Sequence, residues 1–203
     1  QDGVLYMASP FRISQSSDRD FAPCAAWDGS RFFVAWTNKV SSSDMDVRGQ
    51  FVACTGTVPD LSTTYDAALT SNVAGNAAVS FANGVYVIAW EEGTSSSRAI
   101  RARSMLPSGS FVSASVEVEP NTNNAVEPDV CGGATKAIIT WRNAGNQAIR
   151  ARIANASTTD SPMTFAAASM NLKTGAIARE TPKAAFNATV GAWMVVHRNA
   201  VTA

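Results

Sequence analysis

Four runs decide the fold: Arg31-Phe32-Phe33-Val34-Ala35-Trp36, Val85-Tyr86-Val87-Ile88-Ala89-Trp90, Lys136-Ala137-Ile138-Ile139-Thr140-Trp141 and Trp193-Met194-Val195-Val196-His197. Each is short, nearly continuous in apolar character and rich in aliphatic and aromatic side chains, as a strand buried on both faces requires. A shorter apolar stretch and a turn precede each run. These begin at Pro23, Ala77, Pro128 and Pro182, at steps of 54, 51 and 54 residues. The turns hold Asp28-Gly29, Asn83-Gly84, Gly132-Gly133, and Asn187 with Gly191, residue types that tolerate positive φ in tight hairpins.

Beyond each run comes a polar loop: Ser41-Ser42-Ser43-Asp44, Thr94-Ser95-Ser96-Ser97, and Asn143-Ala144-Gly145-Asn146. A third strand then alternates small or apolar residues with long polar ones: Val47-Arg48-Gly49-Gln50, Ile100-Arg101-Ala102-Arg103, and Ile149-Arg150-Ala151-Arg152. A weaker fourth strand is expected near Ala67-Ala68-Leu69, Val116-Glu117-Val118 and Thr164-Phe165-Ala166. Four antiparallel strands in about 50 residues fit one blade of a β-propeller. No segment carries an apolar stripe at 3.6-residue spacing over three turns, which excludes a helical solenoid. A β-sandwich does not require this periodicity.

The expectation is therefore an all-β, four-bladed β-propeller of antiparallel four-stranded blades, one domain over residues 1–203. The fourth repeat reaches only its second strand by Ala203. Gly3-Val4-Leu5-Tyr6-Met7 reads as a third strand and Phe11-Arg12-Ile13-Ser14 as a fourth, so residues 1–14 are expected to complete the last blade. That closure would protect the unpaired backbone of an open ring.

The aliphatic run ending in Ala-Trp or Thr-Trp, followed by a polar loop and (Ile/Val)-Arg-Ala-Arg, resembles the repeats of secreted bacterial β-propellers. The resemblance covers nearly the whole chain and implies an architecture, not an activity. The likeness to hemopexin-like domains is architectural, since no cysteine pair lies at the two ends. Asp44-Met45-Asp46 is the nearest approach to an integrin-type calcium loop and lacks the later ligands.

Composition bounds the function. The 203 residues carry 16 Lys plus Arg against 16 Asp plus Glu, for zero net charge, which argues against a nucleic-acid partner. At 46% hydrophobic the chain has apolar surface enough to fold. The long uncharged stretch Ala67 to Trp90 is broken by Asn72, Gly75, Asn76, Asn83 and Gly84, so no membrane insertion is expected. No basic segment followed by an apolar one opens the chain, so no targeting peptide is expected in it.

Cys24, Cys54 and Cys131 allow at most one internal disulfide; with His197 the sole histidine, a finger-type zinc site is excluded and no cofactor is expected. Buried free thiols are the expectation for Cys24 and Cys131. The low lysine content and abundant Ser, Thr, Asn and Ala favour an extracellular, cell-surface or periplasmic setting. Asn155 and Asn187 each open an Asn-x-Ser/Thr triplet, a glycosylation acceptor only in a glycosylating host.

Trp36, Trp90 and Trp141 share a register and read as packing between blades. Trp27 and Trp193 fall out of that register, which makes them the aromatic candidates for a ligand. The recurrent arginines Arg48, Arg101, Arg103, Arg150 and Arg152 are expected to lay their stems on the neighbouring blade with their heads on carboxylates or carbonyls. A basic belt for an acidic glycan or an acidic partner is the alternative. Glu127, Asp129 and Glu180 stand with Asp20 at the entry to first strands, while Glu91 and Glu92 follow Trp90. In a propeller these loops share one face, which gathers them with Arg142, His197 and Arg198.

The leading expectation is a non-catalytic binding or assembly module presenting loops to a protein partner, hence not an enzyme. A carbohydrate-binding lectin with sites on or between blades is the alternative. A glycoside hydrolase using Glu127, Asp129 or Glu180 comes third, because no acid/base pair repeats in register.

Overall fold

The computed structural model describes residues 10–53, 63–174 and 179–199. Among these the chain is all strand apart from one short 3-10 turn, and no helix is long and apolar enough to cross a membrane. The first antiparallel unit is β1 (Arg19–Trp27), β2 (Arg31–Lys39), β3 (Met45–Ala53) and β4 (Tyr65–Ala68). The second is β5 (Val73–Ala82), β6 (Val85–Thr94), β7 (Ser97–Met105) and β8 (Val116–Glu119). The third is β9 (Ala125–Gly132), β10 (Lys136–Asn143), β11 (Ala148–Asn155) and β12 (Met170–Lys173). A hairpin of β13 (Arg179–Asn187) and β14 (Ala192–Asn199) follows. A single parallel bridge, Met45 to Val73, joins the first two units into one continuous eight-stranded sheet.

The units stack face to face with their first strands adjacent: β1 packs on β5, β5 on β9, and β9 on β13. The core lies between them. Phe33, Ala35 and Phe51 of the first unit meet Tyr86, Ile88 and Trp90 of the second. Val87, Ala89 and Ile100 on the opposite face of that second unit meet Ile139 and Trp141 of the third. Strand periodicity sends alternate side chains to opposite faces, so the continuous apolar runs supply both interfaces of each unit.

The in-register tryptophans are the packing centres, as their spacing implies. Trp90 and Trp141 are fully buried. Each indole N–H donates to the side chain two residues on, at 2.9 Å to Glu92 Oε2 and 2.9 Å to Asn143 Oδ1. Burial without such an acceptor would carry a desolvation cost.

The third-strand arginines bridge adjacent units. Arg103 donates to the carbonyl of Ala67 on β4 at 3.2 Å, and Arg152 to that of Val118 on β8 at 3.1 Å. Each guanidinium also lies over an aromatic ring of its own unit, Arg103 at 3.5 Å from the centre of Phe111 and Arg152 at 3.9 Å from that of Phe165. The planar group can do both at once, which an ammonium cannot. Gln50 holds the equivalent position in the first unit and is buried there.

Two strand expectations need correction. The outermost strand of the third unit is Met170–Lys173, not Thr164-Phe165-Ala166. Met163 is buried and Phe165 lies beneath Arg152, so this apolar segment caps the interface and makes only an isolated bridge to Ala154. The fourth strand expected at Phe11–Ser14 is not formed. The serines and Arg12 turn the segment on itself: Arg12 donates to the Ser16 carbonyl, and the Ser16 backbone N–H donates to Ser14 Oγ. Asn38 Nδ2 holds Ser16 Oγ at 3.2 Å, against the first unit. Gly3–Met7 and Cys54 lie outside the described residues. Among the described strands β13 and β14 pair only with each other.

If Trp141 centres its interface, Trp141→Ala should destabilise the fold by about 3–5 kcal/mol, the range for a large buried aromatic. Urea unfolding followed by intrinsic fluorescence measures this; a loss below about 1 kcal/mol would place the packing centre elsewhere.

Candidate functional site

One backbone feature recurs in every unit and escapes sequence inspection. Ala22, Asn76, Glu127 and Thr181 all have left-handed φ, at 52°, 47°, 55° and 51°. Each immediately precedes a repeat start, and each coincides with a register shift in its first strand. They are β-bulges at one repeated position. The left-handed conformation costs on the order of 1 kcal/mol or more for a residue with a Cβ, least for asparagine. Proline follows three of the four, at Pro23, Pro128 and Pro182, where the bulge leaves no ladder place for its missing N–H.

The four bulges converge on one opening of about 460 Å³ at the mouth of the channel between the first strands. Its charged residues come from the third unit and the hairpin. Arg142 grips the Glu127 carboxylate with two hydrogen bonds, Nη2 to Oε1 at 3.0 Å and Nε to Oε2 at 3.2 Å. The Thr181 backbone N–H adds a third, at 2.6 Å to Oε2. Burial by itself would raise the Glu127 pKa. The hydrogen bonds from Arg142 and Thr181, with the positive charges of Arg142 and Arg198, outweigh it and hold the carboxyl below its usual 4.5. Asp129 accepts from Lys183 Nζ at 2.8 Å and from the Ala184 backbone N–H at 2.8 Å.

Cys24 lines the same opening from the first unit. Burial pushes its thiol up to about 11, the nearby positive Lys183 and negative Asp129 acting in opposite directions. Cys131 is also raised, chiefly by burial. Both are free thiols, and neither is poised as a thiolate nucleophile. Among the described residues no group of three His, Cys, Asp or Glu is placed to hold a metal ion.

Glu91 and Glu92 sit at the end of β6 that faces the mouth. Glu91 is 1% exposed, paired with Arg98 at 2.7 Å and with the Asn76 amide. Glu92 accepts from Trp90 and lies 3.7 Å from Arg101. Glu180 pairs with Arg198 in the hairpin ladder, beside Thr181; its side chain lies outside the description.

Other sequence candidates fall elsewhere. Trp27 ends β1, five residues beyond Ala22, roughly 17 Å along an extended strand from the mouth. It is 42% exposed and stacks on Phe32. Trp193 opens β14 and packs into the third unit, donating to the Cys131 carbonyl at 3.1 Å and stacking on Phe186. His197 occupies the tryptophan position of the hairpin and lines a groove of about 410 Å³ with Ile138, Val195 and Trp193. Asn155 donates to Thr164 Oγ1, while Asn187 caps the turn ahead of β14. Sequence inspection missed Asn76, Arg98, Thr181 and Lys183. The only shared signal was their distance from the repeat starts.

No protein-family model and no curated protein matches the chain. Solved structures do resemble it. An α-L-arabinofuranosidase from Lactobacillus brevis superposes with a TM-score of 0.56 at 11% identity, over 89% of this chain and 65% of that one. A neuraminidase-like protein from A/bat/Guatemala/164/2009 gives 0.55 at 10% identity, over 83% and 45%. The subtype N10 neuraminidase-like protein of A/little yellow-shouldered bat/Guatemala/060/2010 gives 0.53 at 12% identity, over 83% and 49%. The chain thus spans less than two thirds of each of these proteins. The likeness is one of fold and accords with a β-propeller arrangement of successive sheets about a channel. The expectation that the chain is not an enzyme is corrected to this extent: its fold is one that an α-L-arabinofuranosidase also has, so the architecture gives no ground for excluding catalysis.

A carboxylate held below its usual pKa stabilises the fold above that value, and the contribution disappears as pH falls through the folded-state pKa. The urea midpoint of Glu127→Gln should therefore trail wild type by a constant amount above pH 4.5, with the gap closing below it. A gap independent of pH would show that Glu127 has no depressed pKa. In a Cys54→Ser/Cys131→Ser protein, Cys24 should resist iodoacetamide at pH 8 until urea unfolds the chain; equal rates folded and unfolded would contradict its burial.

Proposed function

We propose that the channel mouth is a carbohydrate-binding site, and that the three four-stranded units and the hairpin act as blades of a propeller presenting it. The observation that carries the reading is the pair of carboxylates, Glu127 and Asp129, each fixed by a cation and a backbone N–H where four first strands converge. An ionised carboxylate is a strong acceptor for sugar hydroxyls, and a neighbouring guanidinium or ammonium is a donor to them. Because these groups are already oriented, little rotamer entropy is lost on binding. The opening has the volume of an ordinary small-molecule site, roughly 300–1,000 Å³. The fold likeness to the arabinofuranosidase supports a sugar ligand over a protein one. The serine-, threonine- and asparagine-rich composition suits glycans met outside the cytoplasm.

One observation favours glycoside cleavage as a second reading. Glu127 and Asp129 line one opening, and glycoside hydrolysis employs a pair of carboxylates.

Screening a glycan array and titrating the hits by calorimetry tests the first reading. Glu127→Gln and Asp129→Asn should each weaken binding tenfold or more, about 1.4 kcal/mol. Silence across neutral and acidic glycans, or hits that neither variant weakens, would overturn it. Release of nitrophenol from 4-nitrophenyl α-L-arabinofuranoside by wild type but not by Glu127→Gln would establish the second.

A further inference from the structure

A second opening lies between the first and second units, on the same side of the molecule as the channel mouth. It has a volume of about 560 Å³ and meets the mouth at Asn76, which lines both. Its floor is the Glu91 carboxylate, which accepts from Arg98 through Oε2 and from the Asn76 amide through Oε1. Arg98 is itself pinned, donating through Nε to the Thr94 carbonyl at 3.2 Å and through its backbone N–H to Asn124 Oδ1 at 3.2 Å. Phe21 supplies an aromatic wall, and Ser43, Asn72 and Ser95 stand among the rim residues.

Val126 stands in the third unit where Gly75 stands in the second, each one residue before its bulge, and Val126 is buried. A Cβ on Gly75 would come within 3.1 Å of the Thr37 side chain, so glycine admits Thr37, whose Oγ1 accepts from the Asn76 backbone N–H at 3.0 Å and holds the two units together at the edge of the cleft.

We infer that the cleft between the first two units is a second sugar-binding subsite, taking a neutral sugar residue linked to the one at the channel mouth. This rests on the carbohydrate reading above. The chemistry selects an uncharged ligand: a free anion meets the buried Glu91, a free cation meets Arg98, and the two already neutralise each other. What remains is the Arg98 guanidinium, 25% exposed and held by the buried Glu91, a rim of hydroxyls and amides, and an aromatic face for sugar C–H groups. A polyhydroxylated ring satisfies all three. Asn76 at the shared edge makes the two openings one continuous path for an oligosaccharide.

The test is amide NMR on the full chain titrated with arabinotriose and with xylotriose, repeated on Ser95→Trp, whose exposed position lets the indole fill the cleft without entering the core. The expected result is that amides of Asn72, Gly93 and Ser95 shift together with those of Ala22 and Thr181. In Ser95→Trp the cleft shifts should vanish, affinity for the trisaccharide should fall at least fivefold, and affinity for the monosaccharide should be unchanged. Asn72→Ala should weaken the trisaccharide in the same selective way. Shifts confined to the channel mouth, or cleft shifts that Ser95→Trp leaves intact, would overturn the subsite while leaving the mouth as a binding site. Cleft shifts without mouth shifts would overturn the mouth as a binding site and, with it, the linked path between the two openings. No shift anywhere with either trisaccharide would overturn both.

Discussion

Every sheet in this protein is apolar on both faces, and that constraint governs the rest. A sheet with one wet face can stand against a single partner, but β6 sends Ile88 and Trp90 one way and Val87 and Ala89 the other. Such a unit is stable only between two neighbours, so the units must stack in series with their first strands together. The same logic explains the arginines. Once Arg103 and Arg152 are enclosed between units, the carbonyls of Ala67 and Val118 and the rings of Phe111 and Phe165 satisfy them. The zero net charge conceals a dense internal electrostatic order rather than the absence of one.

The hairpin differs in burial from the units before it among the described residues. Met194 and Val196 are 65% and 53% exposed, whereas the residues in the same register of the first two units, Phe33 with Ala35 and Val87 with Ala89, are wholly buried. His197, smaller than the tryptophan it replaces, lies beside a groove against the third unit.

Stacking the first strands also creates the site. Each must bend where it meets the channel, and each does so by a left-handed bulge at one repeated position. The side chains there differ: alanine, asparagine, glutamate and threonine. A symmetric scaffold thus carries an asymmetric lining, polar and charged toward the third unit and hairpin, thiol-lined and small toward the first. Glu127, Arg142 and the Thr181 N–H form one hydrogen-bonded set only because consecutive units bring their bulges side by side. The cleft between the first two units lies beside the second of these bulges, at Gly75, in a register that holds Phe21, Val126 and Glu180 in the other units.

The strands, their order and their doubly buried character were legible in the sequence, because hairpin turns and apolar runs recur at a nearly constant step and strand geometry is local. Glu127, Asp129, Arg142 and Glu91 were also legible as a face, since their distance from the repeat starts places them at one end of the strands. What tertiary structure decided was pairing and direction. The segment Thr164-Phe165-Ala166 looked like an edge strand, yet with Met163 it caps the interface, Phe165 lying beneath Arg152 and Met163 in the core. Phe11 to Ser14 alternated suitably, yet its serines and Arg12 are satisfied within the segment. Tertiary structure also set where Trp27 and Trp193 lie, away from the mouth and against Phe32 and Phe186. The left-handed bulges left no shared residue type to find, since backbone strain of this kind is imposed by the convergence of whole sheets and not by any side chain at the bend.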